Sequence, residues 1–211
     1  MRRRRGVDLD PASEAVRNLL TAGAVMAAGV LVCVARAPKP LDTTDGLSWF
    51  GVTRVTVVEY ALTMLITAAL LVRAAGPLAA VPDLRPLRLG LLACAALLPV
   101  MLATPYTLGT VLNWTHMTVG SVLFALQILV AAWLWWARAR TPAVFALLAT
   151  QVAGGIVCFT SLLDLDAAML QGQLVFQVAF TACVAVGVAT VAGRDQGVSG
   201  SSRRATSTRS K

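Results

Sequence analysis

The chain has 211 residues, 57% of them hydrophobic and only 13% charged, with a mean hydropathy of +0.74. That balance excludes a soluble domain of ordinary composition. The net charge of +8 would suggest nucleic acid in a soluble protein, but the basic residues sit in the tails and in short loops between apolar runs, where membrane topology accounts for them and no nucleic-acid partner is expected.

Apolar runs of about 17 to 22 residues recur along nearly the whole sequence, each long enough to cross roughly 30 Å of hydrocarbon as a helix. They are continuous and rich in Ala and Leu, without the alternation of a membrane barrel. The expected fold is therefore all-α: a polytopic membrane bundle of about six transmembrane helices, since a backbone in lipid must satisfy its own hydrogen bonds.

In chain order, a basic head over 1–17 carries Arg2, Arg3, Arg4 and Arg5 and then the acidic Asp8, Asp10 and Glu14. The first span is predicted from Asn18 to Ala35. It is longer than the usual apolar core of a secretion signal and stands about a dozen residues from the arginine cluster, which favours an uncleaved helix; Ala35-Arg36-Ala37 imitates a cleavage site and keeps processing as the alternative. A polar connection to Arg54 includes Trp49 and Phe50. The second span, Val55 to Val72, carries Glu59, and the loop after it holds Pro77, Pro82 and Pro86, which forbid regular helix throughout.

A third span is predicted from Leu89 to Ala103, with Pro99 inside it and Pro105 helping to end it. The loop from Thr104 to Trp114 is uncharged. The fourth span, Thr115 to Trp136, ends in an indole cluster suited to a membrane interface. The fifth runs from Ala143 to Leu163; after a turn with Asp164 and Asp166, the sixth runs from Gln173 to Ala192. The tail, 193–211, is rich in Ser, Gly, Thr and Arg and is expected to be disordered, having too little apolar surface to offset its ordering entropy.

All the Lys and Arg residues except Arg36, Lys39 and Arg54 fall on the side of the head and tail. That bias predicts a plasma-membrane protein with both termini in the cytoplasm. The four cysteines lie in four different apolar runs without paired spacing, as small buried hydrophobes would.

Few polar residues are placed to carry chemistry. Glu59 is the one acidic residue well inside a predicted span, and a charge there costs several kcal/mol unless it meets protein or water. Thr56, Thr63 and Thr67 share its helix face. It reads either as a proton-binding or ligand-binding carboxylate or as one paired with Arg54 or another helix. His116, the single histidine, enters the fourth span at a similar depth, with Gly120 and Gln127 on roughly its own face. Together with Arg54 and Asp164 these form the candidate ligand-binding or proton-binding set; no catalytic residue, metal ligand or cofactor is assigned. Gln151, Gly155 and Cys158 on the fifth span, and Gln173, Gln177 and Thr181 on the sixth, read first as helix-packing positions and second as the wall of a polar cavity.

The layout, with Leu47-Ser48-Trp49-Phe50-Gly51 after the first span and Trp114-Thr115-His116 entering the fourth, resembles the uncharacterised six-helix integral membrane proteins of high-GC bacteria. That resemblance implies a plasma-membrane address and supplies no catalytic residues. The function expected first is non-enzymatic binding of a lipid, a small molecule or a membrane partner. A proton-coupled transporter using Glu59 is the alternative, and a small intramembrane enzyme the third reading.

Overall fold

The computed structural model describes residues 10–39, 41, 45–161 and 168–207, with 161 and 195–207 described as backbone only. Among them there is no strand, and six helices are long and apolar enough to cross a membrane. The chain is a multi-pass helical membrane protein.

Helix α1 runs Pro11–Arg36, a short α2 covers Leu47–Phe50, and α3 runs Val57–Ala75. Two 3-10 turns, Pro77–Ala80 and Pro82–Leu84, fill the proline-rich connection. Then come α4 (Arg85–Ala103), α5 (Thr110–Ala137), α6 (Pro142–Ser161) and α7 (Met169–Ser207).

Two boundaries move for identifiable reasons. Helix α1 begins at Pro11, seven residues before the apolar run, because Asp10 caps it by accepting from the Ala12 N–H (3.4 Å) and Pro11 has its backbone angle already set for a first turn. Helix α7 does not stop at Ala192 but continues to Ser207, through the segment expected to be disordered. Extending an established helix costs far less than starting one, and 193–207 contains no proline to end it.

Around the bundle, α1 packs between α3 and α7, α3 also packs on α4, α4 on α5, and α6 on α7; α5 meets α6 and α7 less extensively. One end of the bundle carries α2 and the loop from Thr104 to Gly109, where Gly109 has a φ of 117° that favours glycine. The opposite end carries the 3-10 turns and the α5–α6 connection. There Arg138 pairs with Asp83 (3.4 Å), Arg194 donates to the Arg138 carbonyl (2.9 Å), and Arg140 lies over the Trp136 ring (4.3 Å). All four cysteines are buried and free.

The tightest crossing joins α6 to α7. A Cβ on Gly154 would lie 2.8 Å from both the Gly172 carbonyl oxygen and the Phe176 nitrogen, so main chain meets main chain there. Gly154→Val is expected to destabilise the protein by about 3 kcal/mol or more in detergent unfolding, because neither backbone can yield. Gly120→Ala, whose Cβ meets only Met101 at 3.6 Å, should be neutral or stabilising.

Candidate functional site

Helix α5 meets α7 at a few positions toward the end of the bundle opposite α2 and separates from it toward the α2 end. Nearest the opposite end, Leu134 packs where a Cβ on Gly187 would sit. Further along, Gln127 and Gln177 exchange side-chain amide hydrogen bonds (2.8 and 3.2 Å), so that two buried amides satisfy each other. Next, the Phe124 and Phe176 rings stack at 4.2 Å. Beyond that stack the helices diverge around a cleft of about 490 Å³.

One part of the cleft lining is apolar: Phe124, Met117, Phe159, Met169 and Met101. Of these, Met117 and Phe159 are exposed, and in a bilayer they would meet the lipid tails. The remainder is polar or aromatic, with Ser48 and Trp49 from α2, Tyr106 from the loop, Asn113 and His116 from the first turns of α5, and Gln173 from α7. Burial, and after it the Asp45 carboxylate, pushes the Tyr106 phenol above its ordinary range, which keeps it a neutral hydrogen-bond donor.

His116 is the centre of the polar part. Its Nδ1 lies 2.8 Å from the Thr104 carbonyl, which can only accept, so Nδ1 carries a hydrogen. In the neutral ring Nε2 is then the acceptor, and it receives the Ser48 hydroxyl at 2.7 Å. The imidazole therefore ties α2 to the end of α4 and the start of α5. Gln173 holds α2 from the other side, its Oε1 accepting from the Leu47 N–H at 2.6 Å.

The residues expected to act together are distributed differently. Glu59, in the first turn of α3, pairs with Arg36 at the end of α1 and does not line the cleft. Arg54 is exposed and makes no ion pair with a described residue. Asp164 lies outside the described residues. Of the described members of the expected set, His116 alone lines the cleft. Of the threonines beside Glu59, Thr56 donates to the Phe50 carbonyl (3.0 Å) and Thr63 to the Glu59 carbonyl (2.7 Å). Gln173, Gly155 and Cys158, singled out as possible cavity residues, do line it. Ser48, Tyr106 and Asn113 were not anticipated: a serine in a loop gives no periodic signal, and its partner histidine is 68 residues away.

Among the described residues no group of three His, Cys, Asp or Glu side chains could hold a metal ion. Comparison of the chain with protein-family models, with curated proteins and with solved structures finds no match.

The Arg36–Glu59 pair lies at a helix end and is partly open, with side-chain exposures of 55% and 23%. Such pairs contribute about 0–1 kcal/mol. Glu59→Gln is accordingly expected to lower stability by less than about 1 kcal/mol in a detergent melt and to leave ligand binding in the cleft unchanged.

Proposed function

We propose that this protein binds an amphipathic molecule drawn from the membrane, a lipid or a lipid-like small molecule, in the cleft between α5 and the α6–α7 pair. The observation that carries this reading is the division of the cleft lining. Its apolar residues include Met117 and Phe159 at the lipid-facing surface, while His116, Asn113, Gln173, Tyr106 and Ser48 supply hydrogen-bonding groups. An acyl chain would lie against the first set and a polar head against the second. The volume falls within the range of about 300–1,000 Å³ usual for small-molecule sites, whose linings are mostly apolar with a few convergent polar groups.

A proton-coupled carrier built on Glu59 draws no support from this arrangement, because that carboxylate faces Arg36 outside the cleft. The lysine and arginine bias supports an orientation with both termini in the cytoplasm and the α2 end on the outer face of the plasma membrane, in which the cleft would open in the outer leaflet.

Gly120 provides a direct test, since it lines the cleft and has room for a side chain. Gly120→Phe should fill the cleft without disturbing the bundle. It is expected to weaken binding of a lysophospholipid carrying a fluorophore on its acyl chain by about tenfold or more, equivalent to about 1.4 kcal/mol. Unchanged binding would remove the cleft as the site.

Orientation is tested separately in a version lacking the native cysteines. Arg54→Cys should react with an impermeant thiol reagent in intact cells, and Ala79→Cys should react only after permeabilisation. The reverse pattern would place the cleft in the inner leaflet.

A further inference from the structure

We propose that Ser48 and His116 form a nucleophile–base couple that transfers the acyl group of a carboxylic ester bound in the cleft. This inference rests on the cleft being the binding site. A serine hydroxyl is a weak nucleophile until an adjacent base takes its proton, and the base must itself be held in the right tautomer by a third group. All three parts are present. The Ser48 Oγ is 2.7 Å from His116 Nε2, the Thr104 carbonyl fixes the hydrogen on Nδ1 at 2.8 Å, and both Ser48 and His116 line the cleft.

A purely structural latch needs the hydrogen bond but not access. Ser48 is only partly buried and faces the same space in which an amphipathic ligand would place its polar end. There Oγ would attack the ester carbonyl carbon, forming the Oγ–C bond as its proton passes to Nε2 and the carbonyl π pair moves onto oxygen. Tyr106, Gln173 and Asn113 supply the neutral hydrogen-bond donors for that oxyanion. As the oxyanion collapses, the C–O bond to the leaving alcohol breaks and the alkoxide takes the proton from Nε2. Water, or a second alcohol, then attacks the acyl–Ser48 ester, gives its proton to Nε2, and releases the acid or a new ester as that proton returns to Ser48. No electron is exchanged and no metal is required.

With a carbonyl in place of a carboxylate behind the histidine, the couple holds its tautomer but lacks a negative charge to stabilise the imidazolium. The activity expected is therefore slow transfer on a long-chain ester.

The full chain in detergent micelles is incubated with p-nitrophenyl decanoate and separately with an alkyl fluorophosphonate, and its peptides are analysed by mass. Release of p-nitrophenol, with a decanoyl or phosphonyl adduct on Ser48, is expected. His116→Gln should slow adduct formation about 100-fold or more, and Ser13→Ala, at the opposite end, should leave it unchanged. The wild-type adduct requires no variant, and an unchanged helical circular-dichroism spectrum and thermal melt in detergent show that His116→Gln is folded.

If Ser48 carries no adduct while the lysophospholipid still binds, the acyl-transfer inference is overturned and the binding site stands. If Ser48 is modified equally fast in a folded His116→Gln, the couple is overturned. Loss of both binding and adduct in the wild type overturns the cleft itself.

Discussion

Hydrocarbon offers no hydrogen-bond partner, and that single constraint orders this molecule. It makes helices of all six spans and leaves each polar side chain inside them to find a partner within the protein. Most of the hydroxyls take the nearest one: Thr63, Thr150 and Thr190 each donate to the carbonyl four residues earlier. The amides of Gln127 and Gln177 meet across two helices. His116, in a gap where helices part, takes partners from two other segments. Gln151 is fully buried, and neither of its amide atoms has a hydrogen-bond partner among the described residues.

Shape follows from where small residues let backbones approach. Gly154 and Gly172 bring α6 and α7 into main-chain contact, and Gly29 receives the Thr63 side chain between α1 and α3. Helix α5 has no comparable contact toward the α2 end. After the Phe124–Phe176 stack its neighbouring positions are His116, Met117 and Asn113, which border open space. A helix held firmly at one end and set apart at the other gives a cleft whose base is rigid. Above that base, His116, Ser48 and Gln173 are held by hydrogen bonds of their own, so a ligand would meet a partly preorganised wall.

Charge is handled at the ends. Arg36 with Glu59, Lys39 with Asp45 (3.6 Å), and Arg138 with Asp83 each join two segments near a helix terminus. This explains why Glu59, the most conspicuous residue in the linear sequence, contributes little to the cleft: its depth allows a cation from the adjacent helix end to reach it. The cleft is lined instead by uncharged polar groups and one imidazole, which tolerate a mostly apolar setting at lower cost.

The sequence by itself determined the six spans, their approximate limits, the buried cysteines and the prominence of His116, because hydropathy over about 20 residues reports directly on whether a segment can lie in lipid. Capping at Asp10 and the continuation of α7 to Ser207 escaped it, since both depend on helix ends and not on hydropathy. Only the tertiary structure decided that Glu59 meets Arg36, that His116 meets Ser48 and the Thr104 carbonyl, and that α5 stands apart from α6 and α7. Those pairings join residues up to 68 positions apart. They are set by which helix faces pack together, a property that no single apolar run contains.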